Sequence, residues 1–399
     1  MRNKEKGITL IALIITIIVM LILVGVVVTV VIQSNLLGTA KTAGDKYKKA
    51  YEEESNMSEV TINGEKYDSI EDYLNGKTKS PEGVGERFSE TKEYTDGTKT
   101  AWIPAGFTVS GIQSETTIDG GLVIYDIPEG IEVDWNDPDS VKPVYNQFVW
   151  IPVEVNKSTD TVTNIANFYR SEWANNARST NLTESTDYTE PSTENDTATG
   201  IASQIANLTE SIYKYGGFYI GRYEAGSETA RNDSSSATTL GIKQDMYPYV
   251  YVKWGKSMSD IGTEGAVYLS NSLYNSSKPN YGATSMLCTG ATWDSMLNFI
   301  KDSDYDVTSS LKWGNYADAT YKVYRGSIKE INEWSEVDST NGTDVSNAML
   351  TTGAYESNSA KNIYDVAGNC SEMTTEFHSS GYRIMRGRYV WQFKFRFLS

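Results

Sequence analysis

ITLIALIITIIVMLILVGVVVTVVI, residues 8–32, runs for 25 residues without a charge, and its polar side chains are Thr9, Thr16 and Thr29 alone. A helix needs about 20 predominantly apolar residues to cross the hydrocarbon core of a bilayer, so this run is long enough to span with some tilt. Arg2, Lys4 and Lys6 precede it against the single acid Glu5. Positive charge is retained on the cytoplasmic side, so the N-terminus is expected inside and residues 33–399 outside. A cleaved secretory signal fits less well, because its apolar region spans only about 7–15 residues and no A-x-A-like site follows here. A buried soluble helix would show a polar face, and this run has none. The chain therefore reads as a single-pass protein of the cell membrane with an exported domain.

The boundary of that run resembles a processing motif. Lys6-Gly7-Ile8-Thr9-Leu10-Ile11 is similar to the type IV prepilin motif, in which a short basic leader ends in Gly before an apolar helix. The resemblance implies that residues 1–7 are a leader, that a prepilin peptidase cuts after Gly7, and that Ile8 becomes the methylated N-terminus. It also implies other pilin subunits as partners. Ala12 stands at the fifth mature position, where the family carries Glu. A carboxylate in lipid is costly and functional by default, so its replacement bears on filament assembly more than on cleavage.

Working outward, the totals exclude some classes. A net charge of −17 opposes nucleic-acid binding, since phosphates would be repelled, and suits a solvated surface protein. Two cysteines, Cys288 and Cys370, make no disulfide framework. They read as small apolar residues, with pairing outside the cell as the alternative. Every tryptophan lies beyond residue 100, and such aromatic content signals a packed core rather than a disordered stalk.

Residues 8–57 read as the membrane and stalk helix, with Ala40, Ala43, Tyr47 and Ala50 at helical spacing. In residues 58–100, Val60 to Tyr67 predicts a hairpin turning at Asn63-Gly64, and Ser69 to Leu74 a capped helical turn. Gly76 to Thr100 is charged and Gly-rich, the composition of a linker. Residues 101–399 then form the main domain. Trp102-Ile-Pro, Thr108-Val-Ser, Leu122 to Tyr125, Gln147 to Val153 and Gly216 to Gly226 are short β-branched and aromatic runs between turn residues. Ala291 to Ile300 predicts a helix with Trp293, Met296, Leu297 and Ile300 on one face. Residues 155–208, rich in Ser, Thr, Asn, Asp and Glu, read as a polar surface insertion. Tyr389 to Phe397 alternates aromatic with polar residues and predicts a terminal strand built into the domain. The fold class is α+β, with short strands, few helices and long polar loops.

These segments, in this order, resemble the formylglycine-generating-enzyme or sulfatase-modifying-factor domain. Phe148-Val-Trp-Ile-Pro and Gly217-Phe-Tyr-Ile-Gly-Arg-Tyr-Glu are similar to its opening strands. Asn362-Ile-Tyr-Asp-Val-Ala-Gly-Asn-Cys-Ser-Glu-Met-Thr374 is similar to its motif N-x-Y-D-x-x-G-N-x-W-E-W-T. The resemblance implies a C-type-lectin-like fold over roughly residues 100–399. It further implies calcium, held by the Asp365 and Glu372 carboxylates and the Gly368 and Cys370 carbonyls, and oxygen donors on a turn suit that hard cation. Read on its own, Asp365 is equally a turn cap. Family oxidases carry two cysteines between the elements matched here by Arg386-Gly387 and Phe395-Arg396, and this interval has none. His378 is the sole histidine, so the histidine-rich iron site of other relatives has no ligands either. Oxidase chemistry is therefore the third reading.

The same domain serves without catalysis in the variable proteins of diversity-generating retroelements, where the C-terminal segment displays a ligand-binding surface. Phe377 to Trp391 stands at that place, with Tyr382, Arg383, Arg388 and Tyr389 as the candidate binding residues. The expectation is a pilin-like surface protein whose lectin-like ectodomain binds an extracellular protein or glycan and is not an enzyme. A structural minor pilin of a type IV pilus-like filament is the alternative.

Overall fold

The computed structural model describes residues 16–21, 60–62, 65–67, 80–157, 165, 168–181, 188–192, 200–233, 239–254, 265–301, 303, 306–309, 314–315, 320–330, 333–346, 348–378, 382–387, 394–395 and 397–398. The chain divides into two units, Met1–Ser80 and Pro81–Ser399.

In the first unit, residues 16–21 of the apolar run are helical, with Ile17 to Leu21 exposed. Among the described residues no helix is long and apolar enough to cross a membrane. Gly7, Ile8, the rest of the span and the stalk lie outside the described residues. Val60–Ile62 pairs antiparallel with Glu65–Tyr67, Ile62 opposite Glu65, as a two-residue Asn-Gly connection requires.

The second unit begins at Pro81 rather than Ala101. Within the stretch read as a linker, Lys92–Thr95 pairs with Thr100–Ile103, and Val84 and Arg87 bridge to Val109 and Thr108. Buried Tyr94 anchors this polar segment, its hydroxyl donating to the Thr116 carbonyl at 2.7 Å. So few apolar residues leave no periodicity to read.

The domain is mixed α and β, mostly short strands with few helices. Its centre is a six-stranded sheet. In chain order the elements that build it are β1 (Thr108–Val109), β2 (Val123–Tyr125), β3 (Gln147–Pro152), α1 (Ile201–Tyr215), β4 (Gly217–Gly221), α2 (Ala266–Leu273), β5 (Met286–Leu287) and α3 (Gly290–Ile300). The C-terminal hairpin β6 (Glu372–Phe377) and β7 (Arg383–Arg386) follows, then β8 (Lys394–Phe395) and β9 (Phe397–Leu398). The sheet order is β5-β9-β4-β3-β2-β1. The last strand thus lies inside the sheet, one place from its edge, Leu398 opposite both Ile220 and Met286. β8 pairs in parallel with β6.

Period-two alternation along β2, β3 and β4 divides the core between the two faces. Ile124, Phe148, Trp150 and Tyr219 join one apolar cluster with Val267, Leu269 and Leu273 of α2. Val123, Tyr125, Val149, Ile151, Phe218 and Ile220 join the other with Leu208 and Ile212 of α1. Trp293, Met296, Phe299 and Ile300 of α3 complete that second cluster; three of the four residues predicted for the buried face are there, with Leu297 partly buried at its edge and Phe299 added. Thr289 caps α3 and exchanges bonds with Thr292, a reciprocal capping box.

Candidate functional site

The Asn362 to Thr374 motif folds back on the Gly-Arg-Tyr-Glu run at the end of β4. Arg222 is 1 % exposed and joins Glu115 at 2.7 Å, the Tyr125 hydroxyl at 3.1 Å and the Gln147 side-chain carbonyl at 3.1 Å. Ser110, Tyr125 and Lys142 complete the Glu115 carboxylate. Burial pushes Glu115 up, but the Arg222 charge and hydrogen bond, with Lys142, outweigh it and hold the group below the usual carboxylate range. The Tyr364 amide donates to the Arg222 carbonyl at 2.8 Å, and the Tyr223 and Tyr364 rings lie 5.0 Å apart. Glu224 takes the Asn369 side-chain amide at 3.0 Å and the Cys370 N–H at 3.3 Å.

The residues expected to hold calcium are placed within this lock. Asp365, with φ +58°, accepts the Gly353 N–H at 2.8 Å. Gly368 has φ +99°, and a Cβ there would meet the Asn315 carbonyl oxygen at 1.6 Å, so only glycine fits. The flanking backbone bonds to Asn315, which donates to Ala367 and accepts from Asn369. Cys370 and Cys288 are buried thiols. Glu372 is fully buried on β6, opposite Arg386. Among the described residues no three His, Cys, Asp or Glu side chains gather into a metal-holding group.

A second charged cluster lies beneath the C-terminal hairpin. Arg170 binds Glu376 at 2.7 Å and Asp294 at 2.9 Å. Arg386 closes on the other oxygen of Glu376. Asp294 also accepts from the Ser171 N–H and the Trp173 indole. Glu190 takes the Gly290 N–H at 2.8 Å and the Thr375 hydroxyl at 2.5 Å. Burial, and then the Glu376 charge, push the Glu190 carboxyl up to about 8. Arg170, Ser171, Trp173 and Glu190 all come from the stretch read as a polar insertion; Arg170 there meets two buried carboxylates, and the other three exchange hydrogen bonds with the domain.

Of the four candidate binding residues, two are described. Tyr382 stands at the hairpin tip, 75 % exposed. Arg383 is held elsewhere: its guanidinium carbon lies 3.3 Å from the Trp254 ring centroid and 5.3 Å from that of Phe377. Trp254 is itself fixed by its indole N–H on the Thr374 carbonyl at 2.7 Å. Arg383 is thus a packing cation, tied to the core by cation–π contact. Arg388 and Tyr389 lie outside the described residues.

One concave site among the described residues is one that the sequence did not single out. A cavity of about 390 Å³ opens between α1, the 271–286 segment and the 91–104 edge. Its walls carry Trp102, Tyr215 and Tyr281, with Trp150 and Tyr219 of the sheet as its floor. α1 adds Gln204, Asn207 and Ser211, at the three- and four-residue spacing of one helix face. Asn271 and Asn275 face them from the opposite wall. Among the described residues the lining holds no carboxylate, imidazole or thiol. Its one charge, Lys278, donates to the Leu273 carbonyl at 2.6 Å. The signal for α1 was present in Ile201, Ile205, Leu208 and Ile212, but the Ser, Asn and Thr between them read as loop. Compared with known protein families, curated proteins and solved structures, the chain matches none.

Proposed function

We propose that the chain is a membrane-tethered, pilin-like cell-surface protein whose lectin-like ectodomain binds an extracellular ligand and performs no covalent chemistry. The observation that carries this reading is the cavity beside α1. A site of about 300–1,000 Å³, lined by aromatics with a few convergent polar groups, is the usual form of a small-molecule binding site. Among the described residues its lining offers platforms and hydrogen bonds, but no acid, base or nucleophile of the carboxylate, imidazole or thiol kind. The uncharged span after Lys6-Gly7 supports the tether, and the missing cysteine pair weighs against an oxidase.

The test is a ligand screen on the full-length chain in detergent, read by thermal shift and tryptophan fluorescence. A compound that raises the melting temperature of the parent, with its effect abolished by Trp102→Ala, is the expected result. Copper-dependent oxidation of a cysteine-containing peptide by the purified chain would overturn the reading.

A further inference from the structure

The cavity's chemistry goes further than the statement that something binds. Resting on that reading, we infer that its ligand is a neutral saccharide of one or two rings, held without a metal ion.

The argument begins with the walls. Trp102 and Tyr215 stand side by side, ring centroids 5.3 Å apart and tilted by 54°, and both remain partly exposed. Such rings present flat apolar faces with negative potential, which suit the weakly positive C–H face of a pyranose. The rim of a sugar is a ring of hydroxyls, each at once donor and acceptor. The matching groups are primary amides, which offer a carbonyl and two N–H donors in one plane. Gln204 and Asn207 supply them from α1, and no hydrogen bond to another described residue occupies either side chain. Asn271 donates to the Ser285 carbonyl at 3.3 Å, which holds its amide at the opposite wall.

The floor makes an independent demand. Trp150 is 2 % exposed, lines the cavity, and its indole N–H has no acceptor among the described residues. Gly217 gives the ring its room, since a Cβ there would come within 2.3 Å of Cζ2 and 2.7 Å of Cε2. A buried donor left unmade is costly, so a ligand oxygen reaching this floor removes a standing penalty.

Charge selects among hydroxyl-rich ligands. Lys278 is engaged and, among the described residues, no carboxylate lines the site, so a cation would find ring faces there but no ion-pair partner. The chain's net charge of −17 disfavours anions at a distance. A neutral polyol with an apolar face matches both the rings and the amides, and that is a sugar.

The test uses the full-length chain in a detergent without a sugar headgroup. Cellobiose, maltose and diacetylchitobiose are titrated to 20 mM, roughly the ceiling for a weak small-ligand site, with tryptophan fluorescence and calorimetry as readouts. At least one should bind saturably, unchanged by chelator. Trp102→Ala should weaken it at least tenfold. The paired Gln204→Ala, Asn207→Ala variant should weaken it several-fold with an unshifted melting temperature, because both side chains lie on the helix surface. Binding that both variants retain would overturn the inference, as would binding that chelator removes. Silence toward all three sugars would overturn it too. In that last case, a tryptophan-containing peptide that perturbs Trp102 fluorescence would leave the binding reading standing and remove only the ligand class. Silence toward the peptide as well would remove both.

Discussion

Replacing Arg222 by Met tests whether the sequence motifs act as a lock on the fold. The side chain is 1 % exposed and meets Glu115, Tyr125 and Gln147, between the Tyr223 and Tyr364 rings at 5.5 Å each. Methionine retains much of the volume, so the loss is chiefly electrostatic. Removing one member of a buried ion pair costs about 3–5 kcal/mol, because the partner is left charged in a poorly solvated site. Lys142, at 3.3 Å from Glu115, remains as a weaker counter-ion and places the expectation at the lower half of that range. For a domain of roughly 300 residues, an unfolding entropy near 2.1 cal/mol/K per residue makes 3–4 kcal/mol a fall of about 5–6 °C. Adding Glu115→Gln should restore part of the loss, since the stranded charge goes with it. The parent should also weaken in acid. Glu115 has a depressed pKa when folded, so its contribution is present above the unfolded value of 4.5 and is lost as pH falls through the folded one. The assay is thermal unfolding of the full chain by near-UV circular dichroism at several pH values. A loss below about 1 kcal/mol for Arg222→Met, or a double variant no better than the single, would refute the lock.

Three further outcomes are expected. Glu190 is held near 8 when folded and near 4.5 when unfolded, so stability is full below pH 4.5 and declines as pH rises toward 8, by at most about 1.4 kcal/mol per unit; Glu190→Gln should flatten that decline in melting curves at pH 5–8. Arg383→Ala should cost about 1–2 kcal/mol of stability through its lost contact with Trp254 and lower the melting temperature accordingly, while Tyr382→Ala at the exposed tip leaves it unchanged. Asp365→Asn should cost about 1–2 kcal/mol without any metal, by weakening the bond to the Gly353 N–H; a calcium-induced rise in melting temperature confined to the parent would instead establish the metal site that the motif implies.

What could be read from the sequence follows from where the information is local. α3 was legible because Trp293, Met296 and Ile300 repeat at helical spacing in an otherwise clean window. β3 and β4 were legible because continuous β-branched and aromatic runs are hard to place elsewhere. The Val60 to Tyr67 hairpin was legible from its turn. α1 was not, because four apolar positions lie among Ser, Thr and Asn, whose preference for turns hides the stripe. Arg383 has a contact that was hidden for a different reason. Arginine near aromatics suggests a binding hot spot, but its aromatic neighbour, Trp254, is brought there only by the fold. The Arg170–Glu376 pair likewise joins residues that no local pattern connects.

The distribution of polar groups accounts for why the proposed site falls where no strong motif stands in the sequence. Asn362 spends its amide on the carbonyls of Ser114, Gly120 and Gly121. Asn369 is bound to Glu224, Leu350 and Asn315, and Asp365 to Gly353. The donors and acceptors of these groups are already used by the fold. A group that meets a ligand has the opposite requirement, since it must keep a donor or acceptor available. Gln204 and Asn207 on α1 satisfy that requirement, in a stretch whose composition reads as loop. The strongest motif in this chain therefore marks what holds the domain together, and the binding chemistry proposed for it falls to ordinary residues that the fold gathers around Trp102 and Trp150.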